Sequence, residues 1–257
     1  MDPATLVGVI VAFVSILIGM ILEGGNPASL ISPSAFMIVI PSTIAVAVAG
    51  GYLGDVKLVI NGLKQAFLAK PKKPGESIET LVKFADKARR EGLLSLEDAV
   101  KEVDDDFLKR GIEMAIDGTD PEELREILEA EIDAKKSATK EAMEFFMACG
   151  AYSPTIGIIG TCLGLIHVLH NLSDAAALGP AISAAFVATL FGVGTANLIY
   201  IPIGTKLKRI ATAEAHVAEA IVEGVSSIQA GSNPRIIQQK LSAILGVEKD
   251  EAKDKAA

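Results

Sequence analysis

The sequence contains long apolar blocks without Asp, Glu, Lys or Arg, and these blocks constrain the fold more than any other feature. Four of them cover residues 4–22, 33–53, 148–172 and 180–203. Each reaches the length of about 20 residues that a helix needs to cross the hydrocarbon layer of a membrane. A soluble domain with 50% hydrophobic residues would distribute them over many short amphipathic elements instead. The sequence therefore predicts an all-α membrane protein with four transmembrane helices.

The basic residues are confined to two parts of the chain. All 24 Lys and Arg residues lie within residues 57–140 or 206–255, and the loops 23–32 and 171–179 contain none. Because cytoplasmic segments carry the excess of Lys and Arg, we predict a multi-pass protein of the cell inner membrane with both termini in the cytoplasm. Residues 4–22 lack the basic leader of a secretory signal, so we expect them to remain as a span.

These patterns divide the chain into four predicted segments. An N-terminal transmembrane hairpin covers residues 1–53. An all-helical cytoplasmic domain, inserted between transmembrane helices 2 and 3, covers residues 54–147. A second, channel-lining transmembrane hairpin covers residues 148–203, and a cytoplasmic helix and tail cover residues 204–257, with a break at the Ser-Asn-Pro run 232–234.

Helix starts in the cytoplasmic domain are predicted by capping residues. Ser95 with Asp98 three residues later has the spacing of a capping box. Thr119 or Asp120, followed by Pro121 at the first helical position, predicts a long acidic helix that runs toward the third block.

Small residues recur at helical spacing in both helices of the second hairpin, where they let helix backbones approach closely. They are Ser153, Gly157, Gly160 and Gly164 in the first helix, and Ala181, Ala185, Ala188, Gly192 and Ala196 in the second.

The same hairpin carries hydroxyls and prolines but no acid within its spans. Pro154 and Thr161 fall on one face of the first helix, and Thr189 lies beside the small residues of the second. About half of membrane threonines simply bond back to their own helix. Movement of H⁺ or Na⁺ across a bilayer usually needs an intramembrane carboxylate. Either this chain moves no ion, or a partner helix supplies the acid.

Other reactive side chains give no sign of enzymatic chemistry. His167 and His170 suit an interfacial position better than a proton relay, because no carboxylate accompanies them. Cys149 and Cys162 lack metal-ligand spacing. The sequence has no nucleotide-binding loop or nucleophile elbow, so we predict no cofactor, no metal, no catalytic residue and no nucleic-acid partner.

The chain resembles the flagellar motor stator subunits of the MotA and PomA family. The resemblance extends from residue 1 to about residue 245 and includes the order of the four blocks. Its strongest parts are residues 88–97, 117–118, 154–165 and 179–192, and Pro202 with Lys206 and Leu207. It implies a homopentameric ring around two copies of a single-span partner of the MotB or PomB type. That partner would supply the missing aspartate, and ion flow would rotate the ring.

The resemblance also implies roles for a charged cytoplasmic cluster. By position, Arg89, Arg90, Glu97 and Asp98 match the family's rotor-contacting charges, which push on the switch protein FliG. From charge alone, such a cluster would be a solvated surface in about three cases out of four.

Five residues form the ion pathway that the resemblance implies: Pro154, Thr155, Thr161, Thr189 and Pro202. The two prolines match the family's channel-associated prolines.

The resemblance favours Na⁺ over H⁺ as the transported ion. Thr161 and Thr189 match the two threonines of sodium-driven members, whereas Ala188 replaces a hydroxyl that some sodium-type relatives carry.

Two alternatives remain from the sequence. A proton-channel energiser of outer-membrane processes, of the ExbB or TolQ type, shares the ring arrangement but usually has three spans. A passive membrane scaffold would tolerate substitution of Pro154 and Thr161.

Overall fold

The computed structural model describes residues 4–51, 54–68, 74–170, 172–173 and 175–246, and these residues form helices joined by short turns. The α-helices are α1 (Ala4–Leu22), α2 (Pro33–Ala49), α3 (Asp55–Leu68), α4 (Pro74–Glu91), α5 (Glu97–Val100), α6 (Asp106–Ile116), α7 (Pro121–His170), α8 (Ala175–Thr195), α9 (Ile201–Gln229) and α10 (Pro234–Leu245). Short 3₁₀ helices cover Pro27–Leu30 and Leu93–Leu96, and a π-helical turn, Ala196–Tyr200, joins α8 to α9. The prediction of an all-helical chain is confirmed over these ranges.

The chain forms two compact units. The first contains Met1–Lys70 and Ala138–Arg209, and the second contains Pro71–Ser137 and Ile210–Ala257. Helix α3, which follows the second apolar block, belongs to the first unit.

Among the described residues, three helical stretches are long and apolar enough to cross a membrane. They lie in α1, in α7 and in the continuous helix Leu178–Gln229, whereas α2 is an apolar helix of 17 residues. The second block was expected to extend to residue 53, but α2 ends at Ala49 before the pair Gly50-Gly51, where glycine lowers helix propensity. Tyr52 and Leu53 lie outside the described residues.

In the first unit, α2 and α8 contact each other through Ala and Val side chains. Ala35 and Val39 of α2 pack against Val187 and Ala188 of α8. These side chains are almost completely buried, so α2 and α8 share a continuous apolar contact.

The second unit has an aliphatic core drawn from α4, α6, α7, α9 and α10. Its fully buried members include Leu81, Ile112, Leu128, Ile221 and Leu241. Burial of such side chains stabilises the unit by about 1.5–3 kcal/mol each.

Of three predicted helix boundaries, two are confirmed. Asp120 Oδ1 accepts a hydrogen bond from Glu122 N at 2.9 Å, so Asp120 caps α7. Asn233, inside the predicted break at residues 232–234, caps α10 by accepting a hydrogen bond from the N–H of Arg235. The capping box at Ser95 is wrong, because the Leu93–Leu96 turn directs the Ser95 hydroxyl back to Gly92 O at 2.6 Å.

Candidate functional site

Helices α7 and α8 approach so closely that their backbones touch. A Cβ added at Gly157 would lie 2.9 Å from Ala188 O and 3.3 Å from Thr189 Cα. A Cβ added at Gly192 would lie 2.6 Å from Ser153 O. The prediction that the small residues let another helix approach closely is confirmed, and the structure shows that the two stripes contact each other. Gly160 and Gly164 extend it against Ala188 and Ala185.

This contact brings Thr161 and Thr189 together. Their hydroxyl oxygens are hydrogen-bonded to each other across the two helices. Thr161 Oγ1 also lies 2.9 Å from Ala185 O and 3.2 Å from Gly157 O. A hydroxyl has one proton, so Thr161 can donate to Ala185 O while it accepts from Thr189. In that arrangement both lone pairs of Thr189 Oγ1 stay available to a cation or a further donor.

A second hydroxyl pair lies nearer the proline of α7. Ser153 Oγ and Thr195 Oγ1 are 2.8 Å apart, and their residues are 0% and 8% exposed. Thr195 Oγ1 also lies 2.7 Å from Phe191 O. Sequence reasoning treated Ser153 only as a small residue and missed Thr195. Ser153 lies four residues before Gly157, and Thr195 lies three residues after Gly192. This spacing places both hydroxyls on the contact faces, and it was the signal available in the sequence.

The helical turns next to Pro154 and Pro202 are in contact in the first unit. Pro154 has no N–H, so it leaves the carbonyl of Gly150 without its usual helical partner. A Cβ added at Gly150 would lie 2.6 Å from Ile201 Cγ1. The residue after Ile201 is Pro202, which likewise cannot donate to the carbonyl one turn before it.

A π-helical turn directly precedes the second proline. The N–H of Ile201 bonds to Ala196 O, five residues earlier, directly before Pro202. Such π-bulges interrupt the regular α-helical hydrogen bonding and are frequent at functional sites.

Thr155 lies apart from this contact. Its hydroxyl donates to Tyr152 O at 2.7 Å, and its side chain is exposed on the surface of α7. The structure thus brings Thr161 and Thr189 together but leaves Thr155 on an outward face.

His167 and His170 are exposed in the last turn of α7. Cys149 is buried and Cys162 is exposed, both as free thiols. Within the described ranges, no three His, Cys, Asp or Glu side chains are grouped so that they could hold a metal ion.

The charged cluster lies in the second unit, at the end of α4 and the start of α5. Arg89 and Glu97 are exposed. Arg90 pairs with Asp86 at 2.9 Å, and Asp98 pairs with Lys101 at 2.9 Å. The hydrogen bond from Lys101 lowers the pKa of Asp98 below its ordinary value. Ion pairs this exposed contribute little stability, so a partner can replace them at small cost.

An open groove of about 420 Å³ adjoins the cluster. It is lined by Leu94, Glu97, Val100, Lys101, Glu113, Ile116 and Asp117.

Comparison with known proteins gives matches along almost the whole chain. The model of the MotA/TolQ/ExbB proton channel family matches residues 99–220, and that of the motility protein A N-terminal region matches residues 6–92. Motility protein A of Bacillus subtilis is 39% identical over 242 residues, which cover 94% of this chain and 90% of that protein.

Two solved structures have the same fold. The structure of C. jejuni MotAB contains a chain with a TM-score of 0.91 and 35% identity, and 97% of each chain is covered. The flagellar MotAB stator complex from Bacillus subtilis contains a chain with a TM-score of 0.90 and 36% identity, and 100% of each chain is covered.

The fold, the hydroxyl-bearing helix contact and these matches define a membrane-embedded ion-channel subunit, which is not an enzyme. The chain belongs to the motility protein A family, within the MotA/TolQ/ExbB proton channel family. The resemblance found in the sequence is thereby confirmed.

Proposed function

We propose that the chain is a stator subunit of the bacterial flagellar motor. Five copies form a ring around two copies of a single-span partner of the MotB or PomB type, and ion flow turns the ring. The observation that carries this proposal is the hydroxyl-lined contact of α7 and α8 within spans that contain no carboxylate. Such a wall needs an acid from another helix, and the solved relatives are MotAB complexes.

In this proposal the chain crosses the inner membrane four times with both termini in the cytoplasm. The spans lie within segments 1–53 and 148–203, and segments 54–147 and 204–257 are cytoplasmic. The confinement of Lys and Arg to residues 57–140 and 206–255 supports this orientation.

The ion pathway follows Pro154, Thr155, Thr161, Thr189 and Pro202. Thr161 Oγ1, Thr189 Oγ1 and Ala185 O present three adjacent oxygens, and hard cations prefer oxygen ligands. This arrangement supports Na⁺ over H⁺ as the transported ion. Carbonyls freed by Pro154 and Pro202 add further acceptors along the wall.

The charged cluster contacts the rotor through Arg89, Arg90, Glu97 and Asp98, with FliG as the partner. Both signs of charge are present on one exposed surface. Complementary charges of this kind set the register and rate of contact more than its affinity.

The alternative is an ExbB- or TolQ-type energiser, which the broader family model also covers. The match to the motility protein A N-terminal region over residues 6–92 favours the motor.

The test is to substitute Thr161 in motile cells and to measure torque while Na⁺ is exchanged for K⁺ at constant pH. Thr161→Val keeps the shape and removes the hydroxyl. The substitution removes one oxygen ligand of the cation, an interaction comparable to a hydrogen bond to a charged group, which contributes about 1.5–3 kcal/mol, so ion affinity should fall roughly 10- to 150-fold. Thr161→Ser, which keeps the hydroxyl, should retain Na⁺-dependent torque.

Thr43→Val is the matched control, because Thr43 is buried and its hydroxyl bonds only to Val39 O of its own helix among the described residues. Unchanged torque in Thr161→Val and in Pro154→Ala would instead support a passive scaffold. Undiminished torque of the unsubstituted protein without Na⁺ would reject Na⁺ as the ion.

A further inference from the structure

Helix α3 has an apolar face that remains exposed in the described chain. Its Gly62 and Ala66 are buried, and a Cβ on Gly62 would lie 2.6 Å from Ala142 Cβ and 3.4 Å from Leu207 Cδ1. A different face remains exposed: Val56 is 38%, Ile60 51% and Leu63 40% exposed. These three residues follow the i, i+4, i+7 spacing of one helix side.

The depth of α3 follows from what Gly62 contacts. Ala142 lies six residues before the apolar block that begins at residue 148, and Leu207 lies four residues after the block that ends at residue 203. At 1.5 Å per residue, Gly62 lies about 6–9 Å beyond the ends of the two spans. The polar headgroup layer occupies about 5–8 Å on each side of the hydrocarbon core. Gly62, in the middle of α3, is therefore at headgroup depth.

The charge around α3 favours an anionic surface. Lys57 and Lys64 are exposed, seven residues apart, and lie on the flank next to Val56, Ile60 and Leu63. Residues 55–68, 138–147 and 204–209 together contain six cations and three acids. The cations are Lys57, Lys64, Lys140, Lys206, Lys208 and Arg209, and the acids are Asp55, Glu141 and Glu144. Glu144 is paired with Lys140 at 3.6 Å.

We propose that α3 lies in the headgroup layer and forms a binding site for anionic phospholipid. Val56, Ile60 and Leu63 face the acyl chains, and Lys57 and Lys64 bind the lipid phosphate. An apolar face flanked by lysines is the arrangement that holds a helix in a membrane interface, where each cation near an anionic surface increases association about fivefold.

The test uses the absence of tryptophan from the sequence. Ile60→Trp introduces a single indole on the exposed face of α3. The full chain is placed in nanodiscs of phosphatidylcholine and phosphatidylglycerol, with bromine on one lipid or on the other at equal mole fraction. Brominated phosphatidylglycerol should quench the fluorescence several-fold more strongly.

Two further variants complete the experiment. Lys57→Gln with Lys64→Gln should abolish the preference and leave quenching by phosphatidylcholine intact. Ile10→Trp, at a 51% exposed position of α1, should show equal quenching by both lipids. A second measurement needs no tryptophan. Mass spectrometry gives the amount of phosphatidylglycerol that co-purifies with the chain, with and without the lysine substitutions, and this comparison checks the same preference.

Equal quenching of Ile60→Trp by both lipids would overturn the proposal. Absence of quenching by either lipid would also overturn it, since it would mean that protein, such as a second copy of the chain, covers this face.

Discussion

The contact between α7 and α8 depends on Gly192 having no side chain. In Gly192→Ala, the new Cβ would lie 2.6 Å from Ser153 O, 2.9 Å from Gly157 Cα and 3.2 Å from Gly157 N. All three are backbone atoms, so no side-chain rotation relieves the overlap. Ordinary contact begins at 3.4 Å, and the helices must therefore separate by about 0.8 Å in a region packed as densely as a crystal.

The same separation affects the nearby hydroxyl pair. Ser153 Oγ and Thr195 Oγ1 are 2.8 Å apart, and a shift of that size would place them about 3.6 Å apart, beyond hydrogen-bond range. Overpacking costs about 1–3 kcal/mol, and a hydrogen bond between membrane helices contributes on average about 0.6 kcal/mol. Gly192→Ala should thus destabilise the folded chain by roughly 2–4 kcal/mol.

The measurement is the free energy of unfolding from a detergent micelle, followed by circular dichroism during titration with a denaturing detergent. Gly194→Ala is the matched control, since Gly194 lies in the same helix and a Cβ there would meet nothing within 4 Å. That control should be neutral or more stable by up to about 1 kcal/mol, because alanine favours the helix. Equal stability of the two variants would refute the close backbone contact.

Two more predictions concern the second unit. Reversal of charge at both Arg89 and Glu97 should abolish rotation in a tethered-cell assay, while membrane insertion and partner co-purification persist; loss of assembly would instead show that the cluster is structural. Glu223 is partly buried, which raises its pKa, but hydrogen bonds from Lys240 and Arg125 outweigh burial and lower the pKa below 4.5. Its stabilisation is therefore present above that value and lost as pH falls through the lowered pKa. Glu223→Gln should reduce thermal stability at neutral pH and make the loss of stability below pH 4.5 shallower; an unchanged pH profile would contradict this assignment.

Much of the fold could be predicted because its signals are local. The apolar blocks, the cap at Asp120 and the break before Pro234 each depend on residues close in sequence. The capping box at Ser95 failed because a 3₁₀ turn at Leu93–Leu96 used the hydroxyl locally instead. A spacing pattern cannot distinguish these two uses, because it does not show whether the hydroxyl accepts from a backbone N–H, as in a capping box, or donates to a backbone carbonyl, as it does here.

The candidate site was predicted only in part. Thr161 and Thr189 were identified as hydroxyls on two spans, but whether they bonded to their own helices or to each other was open. Thr195 was missed, because its spacing from Gly192 indicates that it lies on the contact face but not which hydroxyl it meets there. The result depends on which faces of α7 and α8 meet, and this is decided by contacts between residues about 30–40 positions apart.

The sequence by itself determined that this is a helical membrane protein whose spans contain no acid, because hydrophobic length and charge placement are properties of the chain alone. Only the tertiary structure decided which hydroxyls pair, how closely α7 approaches α8, and that α3 packs at the charged ends of the spans. The physical reason is that each of these depends on the rotation of one helix about its axis relative to another. Packing of small residues fixes that rotation, and the sequence of one helix does not show which face of the neighbouring helix it contacts.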